Sequence, residues 1–202
     1  MEKKVITVSR EFGSGGRIIA KELAQRLGWS YYDKELVKEV AAKTGFDPAF
    51  IEDRGEFAAT RSILSYALSG QGTPGVMRGM SASDFLWCMQ RDVILELAEK
   101  GNCVIVGRCA DAVLSDYDNL LNVHIFAPYE DRFRNCVERL EMDEKTARRM
   151  IDKVDRSREA YHKEYGGGDA YVNCHFMVNS SVFGIEGSAT LLAGIARQKF
   201  HL

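Results

Sequence analysis

The run Ser9-Arg10-Glu11-Phe12-Gly13-Ser14-Gly15-Gly16-Arg17 constrains this chain more than any other feature. Before it lies a short apolar stretch, Val5 to Val8. After it Ile18, Ile19, Leu23, Ala24 and Leu27 recur on one helical stripe that stops at Gly28. Strand, glycine loop and helix in that order aim backbone N–H groups and a helix N-terminus at one point, which makes an anion site. Gly13, Gly15 and Gly16 let the backbone close around a phosphate, with Ser14 between them. Arg17 supplies a cation at the helix start, where the helix dipole disfavours positive charge by about 0.3–1 kcal/mol, so its placement makes most sense with an anion beside it. The simpler alternative is a tight glycine turn with Arg17 solvated.

Set against the pattern Gly-x4-Gly-Lys-Ser/Thr and aligned on Gly16-Arg17, the loop places Glu11 at the first glycine, Arg17 at the lysine and Ile18 at the magnesium-binding hydroxyl. Arg17 can grip phosphate oxygens as a planar fork rather than as a point charge. Any Mg²⁺ is then expected to be held mostly by water and phosphate oxygens.

The alternation of short apolar runs and helical stripes continues. Trp29 to Tyr32 suits a second strand. Asp33 stands at an N-cap position before Leu36, Val37, Val40 and Ala41, and Gly45 is the stop. Ser83 or Asp84 opens a helix that ends at Gly101, ahead of the strand Cys103 to Val106. Asn122 to Ala127 is a fourth strand, Pro128 starts a helix through Leu140, and Asp143 to Tyr165 forms one or two charged helices. His175 to Asn179 is the last strand, followed by a helix carrying Leu191, Leu192 and Ile195. Five apolar strands separated by helices predict an α/β fold of three layers, with a parallel sheet covered on both faces, in a single domain over 1–202. Two segments fall outside the layers, 46–83 and 141–168, and both are candidate substrate covers.

Composition narrows the function. A net charge of −2 gives no overall basic footprint for nucleic acid, and no apolar run reaches the roughly 20 residues of a membrane span. Five cysteines without a C-x-x-C pair argue against a disulfide framework and a zinc knuckle, so they are expected to be reduced thiols of a soluble cytoplasmic protein. Cys88, Cys103 and Cys136 lie in apolar stripes and suit a core. No metal site made of protein ligands alone is expected.

Among the polar groups, Arg108 follows a strand directly, at the carboxyl end where open parallel sheets bind ligands, and Asp33 occupies the same rim. A surface arginine and a simple N-cap are the plainer alternatives. The segment Thr146 to Arg158 mixes Arg148, Arg149, Lys153, Arg156 and Arg158 with Asp152 and Asp155. Such mixing suits a solvated helix face, and equally an arginine flap that closes over a transferring phosphoryl group. The four histidines are expected to be packing or surface residues.

Three motifs in order, Ser9 to Ala20, Tyr31-Tyr32-Asp33-Lys34-Glu35-Leu36 and Val106-Gly107-Arg108-Cys109-Ala110-Asp111, resemble the cytidylate-kinase-like family of P-loop nucleoside monophosphate kinases. Asp152-Lys153-Val154-Asp155-Arg156-Ser157-Arg158 is similar to that family's lid motif, and Asn179-Ser180-Ser181 to the segment closing its last strand. The resemblance implies a sheet in the order 2-3-1-4-5, ATP with Mg²⁺, and CMP or dCMP as acceptor. It implies that Gly13, Ser14, Gly15, Gly16, Arg17 and Ile18 cradle the donor phosphates. Asp33, Arg108, Asp155 and Arg158 would meet the acceptor, and Arg17, Arg158 and Arg148 or Arg149 would act on the transferring group. On this reading 46–83 is an acceptor-binding insertion and 141–168 a lid. The expected partners are small nucleotides, with neither nucleic acid nor membrane.

The expected activity is ATP-dependent phosphoryl transfer to a nucleoside monophosphate. Ile18 favours one rival, a nucleotide-binding regulatory module that no longer transfers. The segment 46–83 does not visibly repeat the acceptor domain of cytidylate kinases and favours another, a kinase of a different small metabolite.

Overall fold

The computed structural model describes residues 3–55 and 81–202, with the side chains of 52–55 and Ala82 left aside. Most of the expected insertion, 56–80, therefore lies outside the described residues. Five strands, β1 (Val5–Arg10), β2 (Ser30–Tyr32), β3 (Cys103–Val106), β4 (Leu120–Phe126) and β5 (Phe176–Asn179), form one parallel sheet in the order β2-β3-β1-β4-β5. This is the expected order, and β1 sits at its centre with Val5 to Val8 in register with Cys103 to Val106 on one side and Leu120 to Val123 on the other.

Period-two alternation along β1 assigns its two faces. Ile6 and Val8 pack with Ile19, Leu23 and Ala24 of helix α1 (Gly16–Leu27) and with Leu192, Ala196 and Phe200 of helix α8 (Ser180–Phe200). Val5 faces the opposite layer, built from α2 (Lys34–Thr44), α3 (Pro48–Gly55), α4 (Ala82–Lys100) and the short α5 (Ala110–Val113). Thr7 lies on that side too, and its hydroxyl donates to Asn122 Oδ1 at 2.6 Å, which satisfies a buried polar pair between central strands. A smaller cluster of Cys136, Ala147 and Ile151 joins α6 (Tyr129–Glu138) to α7 (Glu144–Tyr165).

Local chemistry explains the element ends and the departures from expectation. The glycine stops hold, with Gly28 and Gly45 in left-handed caps whose N–H groups return to Ala24 and Ala41. Helix α4 opens earlier than Ser83: the Ser81 hydroxyl accepts from Asp84 N at 3.1 Å and is the N-cap. Asp33 occupies the N-cap position of α2, but its side chain makes no cap hydrogen bond. The charged stretch from Asp143 is one continuous helix, capped by Asp143 accepting from Thr146 N. Among the described residues no helix is long and apolar enough to cross a membrane.

Candidate active site

The glycine loop turns at the carboxyl end of β1. Gly13 and Gly15 have φ of 80° and 78°, left-handed values that a side chain resists. Gly16 is needed for space, because a Cβ there would lie 2.6 Å from Arg10 Cβ. Gly15 is the N-cap of α1 and no side chain caps the helix, so the positive end of its dipole lies at the loop. Surrounding elements fix the loop's shape. Asn135 Nδ2 donates to Gly13 O at 3.0 Å, Ser180 Oγ donates to Ser14 O at 2.7 Å, and Phe12 N donates to Asp155 Oδ1 at 2.7 Å. Ser14 is buried with its hydroxyl on Glu11 O, so within this arrangement it shapes the loop rather than facing the cavity.

Over the loop lies a cavity of about 200 Å³ lined by Gly13, Gly15, Gly16, Arg17, Ile18 and, on the far wall, Arg139, Leu140 and Ile185. A second, smaller cavity of about 50 Å³ adjoins it across the carboxyl ends of β1 and β3, and Arg10, Arg108 and Arg158 all line it. Arg10 and Arg158 line both cavities. Arg158 Nη1 donates to Arg10 O at 3.1 Å, and Arg108 Nη1 donates to Ile51 O at 3.1 Å. Arg108 is delivered by an unusual turn: Gly107, Arg108 and Cys109 all have positive φ, at 71°, 60° and 51°. For the two non-glycine residues that conformation costs about 1 kcal/mol or more each, a strain of the kind that surrounding structure holds at functional sites.

Beside the loop Arg132 forms an ion pair with Asp155 and a second, at 3.2 Å, with Glu11, while its Nη1 donates to Phe12 O. Glu11 Oε2 also accepts from Ala127 N at 3.1 Å. Burial raises the Glu11 pKa, opposed by that amide and by Arg132.

The expected site residues divide. Arg108 and Arg158 converge on one cavity, and the glycines with Arg17 and Ile18 on the other. Arg17 reaches Asp33 instead of standing alone, with Nε 2.7 Å from Asp33 Oδ2, so an acid from the end of β2 supplies the anion its helix-start position called for. Asp33 lines neither cavity. Asp155 buttresses the loop through Phe12 and Arg132, and with Arg158 it lines a third cavity beside β4. Arg149 is exposed and lines none of the three, and Arg148 stacks on the Phe133 ring at 4.2 Å. Sequence reasoning passed over Arg10, although it ends a strand just as Arg108 follows one. It also missed Arg132 and the buried pair Asp111–His162, whose partners no local pattern connects.

The donor set allows a test for Mg²⁺. Among the described residues Glu11 is the one carboxylate lining the larger cavity, its Oε2 is engaged by Ala127 and Arg132, and Ile18 offers no hydroxyl. These side chains do not by themselves form a Mg²⁺ site. The glycine loop, in contrast, fits a polyphosphate tail, with a helix start that no side chain caps and Arg17 beside it.

A parallel sheet in this order, with a glycine loop between β1 and α1, defines a P-loop kinase fold. The cytidylate kinase-like family model matches residues 5–181, and the chain belongs to that family. Among solved structures it is similar to an uncharacterized protein from Eubacterium ventriosum, at 25% identity over 96% of this chain and 98% of that one, TM-score 0.70. Two more distant likenesses support the fold alone. One is a shikimate kinase from Bacteroides thetaiotaomicron, 14% identical over 98% and 99%, TM-score 0.56. The other is a gluconokinase from Sinorhizobium meliloti, 12% identical over 98% and 97%, TM-score 0.54. No curated protein matches the chain significantly.

Proposed function

We propose that the protein transfers the γ-phosphoryl group of ATP to a nucleoside monophosphate, with CMP or dCMP the first candidates. The observation that carries this reading is the pair of adjoining cavities sharing Arg10 and Arg158 at the carboxyl edge of the sheet. The larger one offers the loop amides and Arg17 to a triphosphate tail. The smaller one, with three guanidiniums, suits the phosphate of the acceptor. An acceptor phosphate oxygen then attacks the γ-phosphorus, the bond to the β–γ bridging oxygen breaks, and ADP leaves. No strong general base is required, because the nucleophilic oxygen is already anionic. Arg10 and Arg158 lie between the two sites and offset charge on the transferring group. Mg²⁺ bound to the nucleotide would offset donor charge, without a side-chain ligand from the loop. Residues 46–83 serve as the acceptor cover and 141–168 as the lid, and both substrates are met in the cytoplasm.

A second reading has its own support: Ile18 and the Arg17–Asp33 ion pair suit a regulatory module that binds nucleotide without transferring it. A coupled assay of ADP release with ATP and Mg²⁺, run across nucleoside monophosphates and non-nucleotide alcohols, separates these readings. Transfer to CMP or dCMP supports the proposal. Transfer only to an alcohol would identify a different metabolite kinase. Thermal stabilisation by ATP without ADP release from any acceptor would establish the binder.

A further inference from the structure

His162 lies on the last turn of α7, and its ring is buried between two oxygens that can only accept. Nε2 is 2.8 Å from Asp111 Oδ2 and Nδ1 is 2.7 Å from Gly168 O. A neutral imidazole carries one N–H and could satisfy only one of them, so the geometry calls for the doubly protonated ring. The backbone closes on the ring as well: a Cβ at Gly166 would lie 2.5 Å from His162 Nδ1. Asp111 belongs to α5, three residues beyond Arg108 and just past the strained turn, and both line the three-arginine cavity together with His162. The ring thus joins three pieces of chain: the end of α7, the Gly166-Gly167-Gly168 turn and the segment that delivers Arg108.

We propose that His162 is a positioning residue, its imidazolium tying α7 and the glycine turn to the Arg108 segment, so that capture of an acceptor phosphate weakens as that proton is lost. Several charged or titratable groups face the ring. Asp111 comes from α5, Asp169 from the turn, His124 from β4, and Arg10, Arg108 and Arg158 stand across the cavity. Asp169 is already drawn to Lys163, 3.5 Å away. Burial pushes His124 down to about 4, so it is neutral at physiological pH and brings no competing charge. Burial also works against charge on His162, but Asp111, the Gly168 carbonyl and Asp169 outweigh it and its pKa is raised. For a raised base, the stabilisation is complete below the ordinary histidine pKa and is lost as pH rises through the folded value.

The cavity's assignment to an acceptor phosphate rests on the function proposed above, so the experiment has separable arms. Histidine side-chain NMR across pH 5–10 on the full chain is expected to show His162 titrating above its ordinary value, with the midpoint dropping by a unit or more in Asp111→Asn. Calorimetric CMP affinity is expected to weaken about tenfold in the wild type as pH rises through the midpoint found by NMR, and to be weak and flat in His162→Gln. Deuterium exchange of 107–111 is expected to be faster in His162→Gln than in the wild type at pH 7, and equal to it above the midpoint found by NMR. An ordinary midpoint for His162, or matching exchange in wild type and His162→Gln at pH 7, would overturn the inference. So would matching CMP profiles where both proteins bind. If neither protein binds CMP at any pH, the nucleotide reading fails, and the midpoint and exchange arms still decide the role of His162.

Discussion

Gly16 and Arg17 adjoin in sequence and answer to different physics. Gly16 has no room for a methyl group against Arg10, so Gly16→Ala forces the loop or Arg10 to move, at a cost of about 1–3 kcal/mol. Differential scanning calorimetry should show a Tm lower by several degrees, and ATP titration a loss of affinity. Arg17 is half exposed and paired with Asp33, and an exposed ion pair of this kind contributes about 0–1 kcal/mol. Arg17→Ala is therefore expected to leave Tm nearly unchanged while weakening ATP binding tenfold or more by calorimetry. Unchanged affinity would mean that Asp33, and not a phosphate, explains this arginine. The same pair shows what sequence reading misses at this scale. The sequence reading expected a phosphate beside this cation at a helix start, whereas the anion the structure shows there is the Asp33 carboxylate just past β2, a tertiary contact that no local pattern carries.

At the scale of elements, α7 both reaches over the glycine loop and carries the residues that hold it. Its start is capped by Asp143 accepting from Thr146 N, and Asp143→Ala is expected to fray that end and lower stability. Helicity by circular dichroism and Tm check this, and CMP affinity should follow if α7 positions Arg158 and His162. The glycine loop, the caps at Gly28 and Gly45 and all five strands were legible because each is written in consecutive residues: apolar runs, and glycines at required positive φ. The start of α4 was placed late, at Ser83 or Asp84, because several capping residues stand together in sequence, and the choice falls to Ser81, whose hydroxyl meets Asp84 N. Beyond the glycine loop, Arg108 was legible in the candidate site because it follows a strand end, and Arg158 because it closes the Asp152–Arg158 motif. Arg132, which braces the loop through Asp155 and Glu11, sits mid-helix and looks from sequence like any solvated arginine.

For the whole molecule, two buried histidines act with opposite sign on stability. His124, held neutral by burial with its pKa lowered to about 4, contributes stability that is present above the ordinary histidine value and lost as pH falls from about 6.5 toward 4. Its share is on the order of 3 kcal/mol. Chemical denaturation followed across that window should show His124→Gln flattening the acid slope, and the slope remaining intact would contradict the assignment. His162 works in the other direction, so the fold is expected to be most stable between the two titrations.

The central claim is that two cavities on one sheet edge take two different phosphates. Steady-state kinetics with ATP and CMP on Arg108→Ala tests it most directly, because Arg108 lines the smaller cavity and not the larger. The account predicts a CMP KM at least tenfold higher with the ATP KM within about twofold of the wild type. Equal shifts in both constants, or none in either, would contradict it.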